Sequence, residues 1–362
     1  MKILHFHPDG RMARRFIFPL IEEEHKQGHE SCLVVSRFNG EGKVKKIPYD
    51  LSLNGFPFIV FRLIRIIFFI LSYKPDIVFS HNTKSSLLPL FAACFARVKE
   101  RVYFNHGVPY IGYSGILRII LILLEYLNCR LATRIITVSE DMAELIRSAV
   151  KNAQPELIHN GSACGIDLNE FNYQKYSDGA WRREHGFDNE DMVVVYIGRP
   201  ERRKGFVHAL QLWQKFPLNS RCKLVLCGPD TTNVLSVLPE VPPNIIGLGF
   251  VNNIPEILCN ADALILPSYH EGLPYATLEA MASGCIVMVN DIPGVRCVVH
   301  HGVNGFLIKD NSIDVFFEII NDIQGKKIDI DSVRLQSKMT AKLFKREDFL
   351  YKYTEFISKI SI

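Results

Sequence analysis

Two doubly wound, Rossmann-like α/β domains in succession are the fold this sequence predicts, and three observations predict it. The chain has 362 residues, more than one core of this kind requires. Short apolar runs alternate with helix-length segments, as parallel strands joined by crossover helices do. That alternation pauses at a polar, charged interval, Tyr173 to Asp191, and then restarts, so a boundary is expected near 165–190. With 48% hydrophobic and 22% charged residues, the chain has the composition of a globular protein with sizeable cores.

In the first half, strands are expected at Lys2–Phe6, Cys32–Ser36, Asp76–Ser80, Arg101–Asn105, Arg134–Val138 and Glu156–His159. In the second half they are expected at Val193–Ile197, Lys223–Cys227, Ile245–Gly247, Ala263–Leu266, Ile286–Val289 and Gly305–Ile308. Ligands of doubly wound sheets bind beyond the carboxyl ends of the strands, so the candidate residues are those at strand ends.

The first strand runs into His7-Pro8-Asp9-Gly10-Arg11, with Arg14 and Arg15 following. Gly10 lets backbone approach a ligand, and the arginines suit a pyrophosphate; a turn and a solvated helix start would explain them as well. The fourth strand ends in Asn105-His106-Gly107-Val108-Pro109, which sets His106 where it can bond a substrate hydroxyl or carbonyl. Ser139 reads as a helix N-cap. His159-Asn160-Gly161 is either a hinge or a ligand contact, and any chain leaving a sheet needs such a turn.

In the second half, Gly198-Arg199 follows a strand directly and Lys204-Gly205 comes five residues later. A guanidinium fork and an ammonium at that spacing are expected to face one anion from two sides. Cys227-Gly228-Pro229 and Gly249-Phe250 end strands where a nucleobase could stack. Residues 261–283, ADALILPSYHEGLPYATLEAMAS, read as strand, loop and helix. The loop carries Glu271 and delivers Gly272, Leu273 and Pro274 to a helix N-terminus, where backbone N–H groups and the helix dipole favour an anion. Glu279 lies about a turn inside the helix. One compact site could hold a phosphate on amides while two carboxylates bind hydroxyls, as a sugar nucleotide requires. A strand–loop–helix joint also occurs in α/β proteins with no such role.

The net charge of +4 is unevenly spread. Residues 1–150 carry 20 Lys/Arg against 13 Asp/Glu, and 51–135 alone carry ten against three. That segment is expected to face something anionic. It is also strongly apolar, which favours a lipid surface over nucleic acid. Phe56 to Tyr73 is long enough to suggest a membrane span, but Arg62 and Arg65 would each cost about 2.5–3.5 kcal/mol at a bilayer centre. A buried helix or a helix on the membrane surface is expected instead, with a second at Ile116–Leu127. The nine cysteines form no Cys-x-x-Cys pair and read as the reduced thiols of a cytosolic protein, and MKILHF opens as a strand rather than a signal peptide.

Taken together, Gly198-Arg199, Lys204-Gly205, Gly249-Phe250, EGLPYATLEAMASG (Glu271–Gly284) and HHGVNGFLI (His300–Ile308) resemble the family 4 retaining glycosyltransferases of GT-B fold. NHGVPY (Asn105–Tyr110), TRIITVSE (Thr133–Glu140) and IHNGSACGIDLNEF (Ile158–Phe171) resemble a branch that extends bacterial capsular, O-antigen or glycoprotein glycans on a polyprenyl-diphosphate carrier. The resemblance implies an acceptor-binding domain at 1–170 facing a donor-binding domain at 171–340 across a cleft, with a last helix, 340–362, packing back on the first. It implies that Arg199 and Lys204 stabilise the donor diphosphate. Glu271 would bind the transferring sugar and Glu279 the ribose, with Gly198, Gly205, Phe250, Gly272, Leu273 and Pro274 around the donor. His106 would contact the sugar, and Gly10, Arg11, Arg14 and Asn160 would lie on the acceptor side. The donor nucleotide is expected to be uridine diphosphate, and the enzyme to work on the inner face of the cytoplasmic membrane. One departure stands out: the family usually has paired glycines after the first strand, where this chain has only Gly10.

No metal and no cofactor are expected. Asp329-Ile330-Asp331 lies in a late polar stretch rather than after a strand. An epimerase or phosphorylase of the same architecture, or a non-catalytic nucleotide-sugar-binding protein, are the competing readings; no lysine stands out as a pyridoxal phosphate anchor. Neither sheet opens with the glycine fingerprint of a dinucleotide enzyme.

Overall fold

A computed structural model describes residues 1–37, 46–53, 58–176 and 179–361. The chain divides into two compact units, Met1–Gly165 with Arg346–Ile362, and Ile166–Lys345.

Among its described residues the first unit holds seven strands: β1 (Lys2–Asp9), β2 (Glu30–Arg37), β3 (Lys46–Pro48), β4 (Ile77–His81), β5 (Glu100–Asn105), β6 (Arg134–Thr137) and β7 (Pro155–Leu157). All neighbours pair in parallel, in the order β3-β2-β1-β4-β5-β6-β7. The order reverses between β1 and β4, which makes their carboxyl ends the switch point where such sheets bind ligands. Apolar residues of β1, β2 and β4 meet the helices Phe58–Tyr73 and Thr83–Phe95 in one cluster, and Ala13, Ile17 and Ile21 pack beside Leu33 and Val35 in another. Strand β3 is short and was not legible in the sequence. Residues Phe56 and Pro57 of the apolar stretch lie outside the described residues.

β1 runs three residues beyond its expected end, and Asp9 caps the helix Gly10–Phe16 by accepting from Arg11 N–H and Met12 N–H. Gly10 is therefore a buried helix residue rather than an open turn. Ser139 caps Glu140–Ala149 as expected.

The second unit holds β8 (Met192–Ile197), β9 (Cys222–Cys227), β10 (Ile245–Gly249), β11 (Ala263–Leu266), β12 (Ile286–Asn290) and β13 (Phe306–Ile308). They form a parallel sheet in the order β10-β9-β8-β11-β12-β13, with its reversal between β8 and β11. Val194, Tyr196, Ile265 and Met288 on one face pack against Trp213, Phe316 and Ile320. Asp329 caps the helix Ile330–Lys342 by accepting from Ser332 N–H.

All nine cysteines are free, seven of them buried. No described helix is long and apolar enough to cross a membrane. The helices Phe58–Tyr73 and Gly115–Leu131 lie on either side of Thr83–Phe95. They are not inner helices: Phe58, Phe61, Phe68, Ile116 and Ile119 are each at least 60% exposed.

Candidate active site

The second unit's switch point brings two loops together. After β8, Arg202–Lys204 make one turn of 3-10 helix, and Gly205 follows with φ 70°. A Cβ at Gly205 would lie 1.9 Å from the Pro267 carbonyl oxygen, so only glycine permits this approach. The loop after β11 is pinned by three hydrogen bonds. Asn311 Nδ2 donates to the Pro267 oxygen (2.9 Å), Asn290 Nδ2 to the Ser268 oxygen (2.9 Å), and Tyr269 N–H to the Arg203 oxygen (2.9 Å). Gly294 backs the same loop, where a Cβ would lie 2.3 Å from the Gly272 oxygen.

This packing sets Lys204 on Glu271. The Lys204 ammonium donates to both carboxylate oxygens, at 2.7 and 3.0 Å, and Glu271 is only 7% exposed. Burial pushes the Glu271 carboxyl up, but the charge and hydrogen bond of Lys204, with Ser268 and Arg203, outweigh it and hold the carboxyl below its ordinary value. Burial first, and then Arg203 and Lys204, pull neighbouring His270 down to about 4.

Gly272, Leu273 and Pro274 lead into the helix Tyr275–Ser283, whose N-terminus has no side-chain cap. Glu279 is buried within it. Lys204, Glu271 and this helix start are thus brought together. Arg199 is not part of the pair: it is two-thirds exposed and bonds Glu201 at 2.8 Å. Gly198 N–H donates to the Cys227 oxygen at 3.0 Å. Phe250 lies beyond β10 and is 73% exposed.

In the first unit, His106 follows β5 and is partly exposed. It joins His81 Nδ1 through Nε2 at 2.9 Å, and His81 Nε2 joins His5 Nδ1 at 3.1 Å. Each ring stacks on a phenylalanine of the next strand or its own: His5 on Phe79, His81 and His106 on Phe104. Register explains the alignment. His5 pairs with Phe79 and His81 with Phe104, so each histidine sits two residues further along than its neighbour's partner, on one face of the sheet. Burial pulls His106 down to about 3 and His81 well below its ordinary value, so both rings are neutral.

The loop bearing His106 is held by Asn105, which accepts from Gly107 N–H (2.8 Å) and donates to Tyr103 and to Glu125 (3.0 Å). Burial pushes the Glu125 carboxyl up to about 7 against the hydrogen bonds of Tyr103, Thr83 and Asn105. His7 accepts from Asn82 at the β1–β4 crevice. Arg11, Arg14 and Asn160 are exposed, and Asn160 bonds His159. His5, His81, Glu125 and His270 are not among the residues that the sequence singles out. A signal existed for His81: Phe79-Ser80-His81 repeats the Phe-x-His ending of Phe104-Asn105-His106. Among the described residues no group of three or more His, Cys, Asp and Glu side chains is arranged to hold a metal ion.

Two doubly wound parallel units in one chain, the second with a lysine–glutamate pair and an uncapped helix at its switch point, have the architecture of the GT-B glycosyltransferases. Family models agree over both halves: "Glycosyltransferase Family 4" matches residues 13–164 and "Glycosyl transferases group 1" matches 177–334. The chain belongs to this glycosyltransferase family. It is 28% identical over 266 residues to an Escherichia coli UDP-Gal:alpha-D-GlcNAc-diphosphoundecaprenol alpha-1,3-galactosyltransferase, covering 70% of this chain and 68% of that one. It is 24% identical to the Staphylococcus aureus capsular polysaccharide biosynthesis glycosyltransferase CapM, covering 72% and 71%. Some other curated relatives are matched over only half their length. In structure it is similar to Anabaena HepE in complex with UDP and glucose, with a TM-score of 0.81 over 99% of this chain and 100% of that one. At 17% identity that likeness speaks to the fold alone.

Proposed function

We propose that this protein transfers a hexose or N-acetylhexosamine, with retention, from a UDP-sugar to a polyprenyl-diphosphate-linked acceptor in bacterial surface-glycan synthesis. The observation that carries this reading is the partly buried Lys204–Glu271 pair beside the helix start at Tyr275. An ammonium held on a carboxylate has a fixed direction, and its remaining donor can meet a diphosphate. The helix N-terminus adds the partial charge of its amides. Arg199, on its exposed loop, would leave Glu201 for the diphosphate when donor binds. Glu271 and Glu279 would bind hydroxyls of the sugar and the ribose, and His106 the sugar. Gly10, Arg11, Arg14 and Asn160 belong to the acceptor side.

In the transfer the bond between the anomeric carbon and the diphosphate oxygen breaks, and the acceptor hydroxyl oxygen bonds to that carbon on the same face. The departing phosphate oxygen takes the hydroxyl proton. Negative charge grows on the leaving diphosphate, so fixed cations there act most strongly in the transition state. The UDP donor and lipid-linked acceptor are supported by the substrates named for the Escherichia coli relative.

The acceptor's lipid places the work at a membrane. The exposed apolar residues of Phe58–Tyr73, Thr83–Phe95 and Gly115–Leu131 support peripheral attachment on the inner face of the cytoplasmic membrane. Arg65 is exposed in the same region, stacked over the Phe61 and Tyr49 rings, and would add charge attraction to anionic headgroups.

A panel of UDP-sugars with a short-chain polyprenyl-diphosphate sugar, read by product mass and anomeric configuration, tests the proposal. An elongated lipid with the donor's configuration is expected. Nucleotide release or sugar conversion without acceptor would indicate an epimerase instead.

A further inference from the structure

The His106–His81–His5 line continues beyond His5. His5 Nε2 lies 3.0 and 3.3 Å from the two oxygens of Glu24, and the Tyr353 hydroxyl donates to Glu24 Oε1. Glu24 belongs to the helix Phe18–Lys26, and Tyr353 to the last helix, Arg346–Ile360. Tyr353, Glu24, His5 and His81 are all fully or almost fully buried, and only His106 reaches the surface. The line thus has one buried end that carries a charge and one accessible end.

We propose that Glu24, His5 and His81 are positioning residues that fix the tautomer of His106, with Tyr353 holding the Glu24 carboxylate in place, so that His106 meets a sugar hydroxyl as a hydrogen-bond acceptor through Nδ1. The proposal rests on the function proposed above for its substrate, but not for its tautomers.

Burial pushes the Glu24 carboxyl up, but His5 and the hydrogen bonds of His5, Ser31 and Tyr353 bring it below its ordinary value, so it is a carboxylate. A carboxylate only accepts, and His5 must therefore carry a proton on Nε2. In the proposed line His5 holds only that proton, so its Nδ1 faces His81 as a bare acceptor. The proton between His5 and His81 then belongs to His81 Nε2. His81 is neutral, so its Nδ1 is bare and accepts from His106 Nε2–H. His106 is neutral too, which leaves its Nδ1 bare. Each ring dictates the next, and reversing His106 would require a second proton on His5.

Two further titratable groups lie beside this line: His29, whose backbone N–H donates to the Glu24 carbonyl (2.9 Å), and His7, edge-on to His106 at 6.4 Å between ring centres. His7 is engaged elsewhere, with Nδ1 on the Asp9 carbonyl (2.7 Å) and Nε2 accepting from Asn82 (3.0 Å). Burial pulls it down to about 4, so it adds no charge near neutrality.

The test is long-range proton–nitrogen NMR on histidine-labelled full-length protein, about two units above the ordinary imidazole pKa of about 6.5. His5, His81 and His106 are expected to carry their protons on Nε2. Glu24→Gln should mix the His106 tautomers and lower turnover about tenfold, the worth of one hydrogen bond, with UDP affinity unchanged within about twofold. Tyr353→Phe removes a donor but keeps the carboxylate, so the tautomers should survive and turnover should fall by about threefold or less. A proton on His106 Nδ1 in the wild-type protein would overturn the proposal, and so would Glu24→Gln leaving the tautomers unchanged. If the wild-type protein transfers no sugar from any donor while the tautomers are as expected, the relay stands and the proposed function fails.

Discussion

Lys204 Nζ lies 2.7 Å from Glu271 Oε1, although the two residues are 67 apart in sequence. They meet because β8 and β11 are neighbours at the reversal of the second sheet, and each residue sits in the loop beyond its strand. Removing either partner leaves the other partly desolvated. Lys204→Ala and Glu271→Ala should each lower turnover by about a hundredfold or more, and the double variant by much less than the product of the two. Steady-state kinetics of the three variants checks this; additive losses would separate the two roles.

The same pair should appear in acid stability. The Glu271 carboxyl is held below its ordinary value in the folded protein. Its contribution is therefore present above the unfolded carboxyl pKa and is lost as pH falls through the folded one. Denaturant titrations of the wild-type protein from neutral to acid pH should show this loss, and Lys204→Met should show less of it.

Glu125 works in the opposite direction. Its folded pKa is raised to about 7 from an ordinary 4.5. Stability should therefore fall as pH rises from about 4.5 to about 7, by about 3 kcal/mol from this group. Glu125→Gln keeps the shape of the site beside Asn105 and should flatten that part of the profile. A profile identical to the wild type would exclude Glu125 as its source.

Chelation separates protein-borne charge from metal-borne charge. The proposed diphosphate site is made of Lys204, Arg199 and the helix start at Tyr275. Turnover should survive excess EDTA. Complete loss, restored by magnesium or manganese, would rule out the charge scheme.

Membrane attachment should depend on both apolar contact and charge. Arg62 is engaged with Asp50 at 2.7 Å, while Arg65 is exposed, so Arg65→Glu is the more telling charge change. The protein should pellet with anionic liposomes at low salt. Arg65→Glu, and Phe68→Ser with Ile119→Ser, should each weaken this while leaving turnover on a soluble acceptor within about twofold, because exposed positions contribute little to folding. Equal partitioning of all variants would remove this face from the argument.

What the sequence determined by itself was local in range. Alternation between apolar runs and helix-length segments marked twelve of the strands, because period and β-propensity are properties of a few neighbouring residues. The loop–helix joint from Glu271 to Ser283 was legible for the same reason, and its motif carried the family. The tertiary structure decided which of those strand ends meet. The reversal of strand order put Lys204 on Glu271 and left Arg199 in solvent, and nothing in either loop's own sequence encodes that neighbour. It decided that β1, β4 and β5 stand side by side, which turned three scattered histidines into a line. It also chose the contact that the returning last helix makes, placing Tyr353 on Glu24 across 329 residues. Hydropathy could not tell whether Phe58–Tyr73 was buried or outward-facing, because both environments select the same side chains. Only the packing of its neighbours leaves Phe58, Phe61 and Phe68 uncovered.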